Sequence, residues 1–289
     1  IMSVLGLVLF LAHLARQIRV ETMLREVHDD ASATMRVATV ARDDAKPDPV
    51  LLTPGDSARA VVASASGFLI SLDEVEIAAA ALKADAYVVV DSHPGSSLIE
   101  GVPVGVTWSR EGQFDDKTFD RLHRSIQRSI RIGYERTAAQ DVGYGLRQLT
   151  DVANKALSPG INDPTTAIHA LGHISALLCQ LAHRDLGATS VRDDDGRIRV
   201  VLRRPNFAAL LDLSITQPRR YGSSDPQVMA RLFALLEEVA YHSTDHSSIR
   251  QQLVRLRGTV ARSDFDDTEL TQLDHAGRRV ERAMQRWRH

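Results

Sequence analysis

The first fifteen residues, IMSVLGLVLFLAHLA (Ile1 to Ala15), are apolar except for Ser3 and His13, and RQIRVETMLREV follows them directly. So continuous an apolar surface has to be covered, either by the core of a globular body or by lipid. Crossing a bilayer takes about 20 residues, and this stretch is slightly short. It also begins on Ile1 rather than on a methionine with a basic segment, unlike a signal peptide. The stretch therefore reads as the C-terminal part of a transmembrane helix that starts upstream. Arg16, Arg19 and Arg25 lie just beyond it, and positive charge of this kind marks the cytoplasmic side. On this reading the lipid bilayer is the first partner, and nearly all of the chain is a cytosolic appendage.

Composition supports a folded body behind that anchor. Of 289 residues 44% are hydrophobic and 25% charged, enough for one large or two ordinary domains. With 35 basic and 37 acidic residues the net charge is -2, which gives no reason to expect nucleic acid as a partner. The single cysteine, Cys179, excludes intrachain disulfides and cysteine-rich zinc sites. It lies in an apolar helical run and reads as core.

The predicted fold class is α+β and mostly helical. Residues 16–57 are expected to form a juxtamembrane helix and a linker, DDAKPDPVLLTPGDS, whose three prolines prevent regular structure. Residues 58–112 read as a β-rich module. Phe68, Ile70 and Leu72 alternate with small or polar neighbours, as do Val102, Val104, Val106 and Trp108, the period of half-buried strands. AYVVVD is a third strand, and EVEIAAAALKA between the strands is a short helix. The Pro94–Gly95 turn followed by Gly101 and a strand resembles barrel-sandwich modules of the biotinyl and lipoyl type. Lys83, however, lies at the end of the alanine-rich helix and not in a tight turn, so a solvated lysine and no carrier chemistry is expected. Residues 113–289 read as a helical domain with one β-hairpin, TSVR, DDDG, RIRVVLR.

Within the helical domain, Thr137 and Gln140 fit a capping box, which predicts a helix starting there. Val142, Leu146, Leu149, Ala153 and Ala156 form its apolar stripe. Gly143 and Gly145 inside it each cost about 1 kcal/mol relative to alanine, a sign of close backbone approach. Ser158 and Pro159 end the helix, Gly160 allows the reversal, and Asp163 with Pro164 starts the next helix, as Asp225 with Pro226 does later. His169 and His173 have the spacing of a two-histidine half-site, but no third ligand is evident. No metal or cofactor is expected, and no phosphate-loop, nucleophile-elbow or Cys-His signature appears.

The run ERTAAQDVGYGLRQLTDVANKALSPGINDPTTA (Glu135 to Ala167) closely resembles the signature of the domain-of-unknown-function 2254 family of predicted bacterial membrane proteins. RRYG (Arg219 to Gly222) and the apolar N-terminal stretch fit it too, and the resemblance covers essentially the whole chain. It implies several transmembrane helices followed by a soluble region, here placed at the cell inner membrane and facing the cytoplasm. Pro218 is expected to break a helix where the family would continue one. The matching polar residues nominate a site: Arg136, Gln140, Asp141, Arg147, Gln148, Asp151, Asn162 and Asp163 would gather around the corner after the helix, and either take a small polar ligand or satisfy one another as a buried network that locks the two helices. The expected function is a regulatory or assembly region of a homo-oligomeric membrane protein, channel- or transporter-like. The alternative is a membrane-tethered enzyme acting through Arg147, Asp151 and Asp163.

Overall fold

The structure, a computed structural model, describes residues 2–42, 52–55, 57–112 and 114–286, and the side chains of 2–5 and 7–19 lie outside that description. Helix α1 (Met2–Ala38) runs without a break through what the sequence divides into a membrane segment and a juxtamembrane helix. Most side chains of the apolar Ile1–Ala15 stretch are among those left outside. Among the described residues no helix is long and apolar enough to cross a membrane. Most of the expected linker, residues 43–51 and 56, likewise lies outside the described residues.

Two compact units share the chain. A sheet unit holds Arg36–Tyr144 and Arg184–Phe207; a helical unit holds Ile1–Met35, Gly145–His183 and Ala208–His289. The sheet unit follows the order β1 (Arg59–Val62), β2 (Gly67–Leu72), α2 (Glu74–Lys83), β3 (Ala86–Val90), β4 (Ser97–Leu98), β5 (Pro103–Ser109), α3 (Asp116–Ser129) and β6 (Ile130–Gly133). It then contains the first residues of α4 (Val142–Ala156). The helical unit carries the rest of α4 and α5 (Pro164–Leu181), after which β7 (Thr189–Arg192) and β8 (Ile198–Leu202) return to the sheet unit. Helices α6 (Phe207–Tyr221), α7 (Pro226–Ala240), α8 (Ser247–Val260) and α9 (Asp267–Arg286) complete the helical unit.

The strands form two open sheets instead of the barrel suggested by the Pro94–Gly95 turn. One has the order β1-β5-β3-β8-β7 and the other β4-β2-β6. The hairpin expected inside the helical body pairs into the larger sheet, where β8 runs parallel to β3 and β7 becomes an edge. An all-apolar β3 fits that central position, because both faces of a central strand are covered. Val88 and Val90 join the main core with Leu72, Ile77, Ile126 and Leu202, while Val89 packs on the other side with Trp108 and Val201. In β2 the predicted alternation shifts. A register irregularity between Leu69 and Ser71 puts Leu69 and Leu72 in the main core and leaves Phe68 half-buried, the usual effect of a bulge on a period of two. Strand β6 continues directly from α3 as Ile-Arg-Ile, an alternation too short to stand out as a strand.

Helix α2 forms where expected, with the Asp73 side chain accepting from the Glu76 amide, and Lys83 ends it exposed. In the helical unit Leu146, Leu149, Ala153 and Ala156 are buried as the stripe predicts. The cap pairs also hold: Asp163 accepts from Thr166 and Asp225 from Gln227 and Val228, each ahead of a first-turn proline. At the corner itself the left-handed residue is Asn162 (φ 48°) and not Gly160. The Asp163 amide closes it by donating to Ala156 O at 2.8 Å. Pro218 does not break α6, which continues three residues further with Pro218 buried inside it. Cys179 is half-buried, and its thiol is pushed up to about 11 by burial and by the Glu238 carboxylate. At neutral pH it stays a thiol, the unreactive form.

Candidate functional site

The predicted site residues divide between the two units. Arg136, Gln140 and Asp141 belong to the sheet unit; Arg147, Gln148, Asp151, Asn162 and Asp163 belong to the helical unit. In the second group Asp151 and Asn162 are exposed, and among the described residues no ion pair joins Arg147 to Asp151. Asp163 spends both carboxylate oxygens on Thr166, accepting from its amide at 3.1 Å and its hydroxyl at 2.6 Å. The corner between α4 and α5 is thus built by caps and a turn.

The first group is assembled closely. Helix α4 starts at Val142, five residues later than the capping box places its first cap, because Gln140 is used elsewhere. Its side-chain amide pairs with the end of β2, the oxygen accepting from Leu72 N at 3.0 Å and the nitrogen donating to Leu72 O at 3.3 Å. Asp141 takes over at the helix start, where its Oδ1 accepts from the Gly143 amide at 3.1 Å. Its Oδ2 accepts from Arg136 twice, from Nε at 2.8 Å and Nη2 at 2.7 Å. The Asp141 side chain is 3% exposed and that of Arg136 26%. Burial raises the Asp141 carboxyl above its ordinary value, and Arg136, the Gly143 amide and His93 oppose that shift.

The Pro94–Gly95 turn rests on this pair. Gly95 has φ 90°, and a Cβ there would stand 2.2 Å from Asp141 Oδ2 and 2.7 Å from Arg136 Nη2, so only glycine admits the approach. The Gly95 amide donates to Leu69 O at 2.8 Å. Beside it, His93 Nδ1 lies 2.8 Å from Pro94 O. A carbonyl only accepts, so Nδ1 is the donor.

A cavity of about 230 Å³ opens at this junction. Its polar walls include Glu74, His93, Gln140, Asp141, Asp185 and Arg204, and its apolar walls include Val40, Pro94, Val142 and Leu186. Arg204 pairs with Glu74 and donates from Nη1 to Ala38 O at 3.3 Å, while its buried Nε has no partner among the described residues. Residue 41 bridges 184 in antiparallel fashion and the Asp185 amide donates to Val40 O, which fixes the far wall. Such a space admits a molecule of amino-acid size with polar and short apolar parts.

Glu74, His93 and Arg204 were not nominated by sequence. His93 had a signal, its place next to the Pro-Gly turn; Glu74 and Arg204 had none, because they meet only in the folded unit. His173 has a different role from the half-site its spacing suggests. Its ring packs 5.1 Å from that of His28, and burial lowers its pKa. Among the described residues no three His, Cys, Asp or Glu side chains are grouped as a metal site requires.

The model of the family described as predicted membrane proteins, domain of unknown function 2254, matches residues 1–238. The chain belongs to that family. It is also similar to uncharacterised proteins of Mycobacterium bovis and Mycobacterium tuberculosis, 31% identical to each over 289 aligned residues. Those alignments cover 98% of this chain and 55% of each relative, so the chain spans about half the length of the curated relatives it matches. No solved structure matches it. Within the family signature it is Arg136, Gln140 and Asp141 that build the enclosed polar junction.

Proposed function

We propose that this chain is the cytosolic regulatory region of a multipass bacterial inner-membrane protein, channel- or transporter-like, and that a small polar ligand binds in the cavity beside Asp141. The N-terminal apolar stretch anchors it in the bilayer, and the protein works as a homo-oligomer. Family membership and the arginines after the apolar stretch support the anchor and its orientation.

One observation carries the ligand reading. The chain passes between its two units four times, after Met35, Tyr144, His183 and Phe207. Each time a cavity-lining residue, respectively Ala38, Val142, Asp185 or Pro205, lies within three positions along the chain. A ligand that touches these walls touches the end of α1, the start of α4 and both ends of the β7–β8 excursion. Binding shifts an equilibrium only through contacts that differ between states, and the cap of α4 is such a contact. When Asp141 is drawn toward Arg136 or away from the Gly143 amide, the first turn of α4 tightens or frays.

Hydrogen–deuterium exchange on the full-length protein in detergent tests this coupling, with Leu186→Trp filling the cavity in place of ligand. Protection is expected to change at residues 35–40 and 141–147 as well as around the substitution. Changes confined to 184–190 would refute it.

The enzyme reading has one observation in its favour, the raised Asp141 carboxyl in a cavity beside His93. Against it, three of the four acceptor sites of Asp141 are taken, two by Arg136 and one by the Gly143 amide, so the carboxylate is engaged in holding the start of α4. The regulatory reading uses that engagement directly, because a ligand that disturbs Asp141 disturbs the start of α4.

A further inference from the structure

The RRYG motif is only half explained by the fold. Gly222 closes the turn from α6 into α7: a Cβ there would stand 2.4 Å from Val228 Cγ1, and its amide donates to Pro218 O at 2.8 Å. Nothing in that turn requires Arg219 or Arg220. Arg219 instead reaches from the last turn of α6 to α8, donating from Nη1 to Thr259 Oγ1 at 2.6 Å, and its buried Nε has no partner among the described residues.

The company it keeps is cationic. Burial holds the Arg219 pKa below the usual range, the neighbouring Arg220, Arg255 and Arg262 add to that, and one carboxylate, Asp212, acts against it. One oxygen of that carboxylate is already shared by three donors. Its Oδ1 accepts from Gln252 Nε2 at 2.9 Å, from Thr216 Oγ1 at 2.9 Å and from Arg255 Nη1 at 2.5 Å. Arg262 lies along α8 with Nη1 3.4 Å from where a Cβ on Gly258 would stand. Arg220 and Arg262 are exposed, and neither makes an ion pair among the described residues.

Four guanidinium groups stand against one carboxylate, Asp212, whose Oδ1 already serves three donors. Like charges at close range repel, and a guanidinium withdrawn from water needs an acceptor for each N–H. An anion with several oxygens would relieve both costs, since guanidinium forks match phosphate geometry. We propose that Arg219, Arg220, Arg255 and Arg262, where the end of α6 meets α8, form a binding site for a phosphate group. This site lies in the helical unit and does not depend on the cavity of the sheet unit. A phospholipid headgroup and a free phosphate offer the same chemistry.

Titration calorimetry of inorganic phosphate into the full-length protein in phosphatidylcholine nanodiscs, at constant ionic strength, is expected to show saturable binding. Arg220→Gln with Arg262→Gln is expected to weaken it about tenfold without lowering the phosphate-free melting temperature; Arg220→Gln alone serves if the pair is unstable. Nanodiscs that contain phosphatidylglycerol distinguish the sources. Loss of the phosphate signal there assigns the site to a lipid headgroup, and an unchanged signal assigns it to a soluble phosphate. No saturable binding in phosphatidylcholine, or equal affinity in wild type and variant, overturns the proposal.

Discussion

Arg136→Leu is expected to lower stability by about 3 kcal/mol at neutral pH, the loss typical when one partner of a buried charge pair is removed. Asp141, now 3% exposed, would keep the Gly143 amide and His93 but lose the Arg136 charge and both its hydrogen bonds. The pH dependence follows from the direction of its shift. A carboxyl whose folded-state pKa is raised above the ordinary value of 3.8 binds protons more readily folded than unfolded. Its contribution is therefore fully present below that ordinary value and is lost as pH rises through the folded-state pKa. Arg136 limits the loss, so the deficit of the variant should be largest near neutral pH and shrink as the medium is acidified. Arg136→Leu with Asp141→Asn should recover most of it. Urea denaturation at neutral and acidic pH measures both. A loss under about 1 kcal/mol, or one independent of pH, would show that the pair is not buried as described.

Gly145→Leu should cost about 2 kcal/mol net, by separating α1 from α4 in the helical unit. A Cβ at Gly145 would stand 2.3 Å from Ala31 Cβ and 3.3 Å from Ala31 Cα. Both are close-range atoms of a helix that cannot swing aside, and overpacking of such a contact costs about 1 to 3 kcal/mol. That outweighs the gain of up to about 1 kcal/mol from replacing a helical glycine. Gly172 in α5 is the control, because nothing lies within 4 Å of a Cβ there. Gly172→Ala should raise stability by about 0.5 to 1 kcal/mol. Thermal melting that shows gains at both positions would remove the reason given for Gly145.

The sequence made local features readable where one residue settles the geometry. Asp163–Pro164 and Asp225–Pro226 start helices as predicted, and the stripe from Leu146 to Ala156 is buried. Gly145 marks a close helix contact. Long-range pairing was not readable. The β7–β8 hairpin looks self-contained in sequence, and only the parallel pairing of Val88 with Val200 reveals the sheet it joins. Thr137 and Gln140 satisfy the capping-box pattern, yet Leu72, 68 residues earlier, offers Gln140 two backbone hydrogen bonds and outcompetes it. Pro218 misled because a proline late in a helix removes one hydrogen bond and, once buried, need not end the helix. The polar junction was half visible: Arg136, Gln140 and Asp141 stood out in the family signature, whereas Glu74 and Arg204 are brought to it by folding alone.

Native mass spectrometry of the full-length protein, purified gently from bacterial membranes, reads ligand occupancy of the cavity beside Asp141. Wild type is expected to carry one small polar molecule per chain, released on denaturation and absent from Leu186→Trp. A wild-type chain with no added mass, or the same added mass in the filled variant, would show that the cavity holds no ligand.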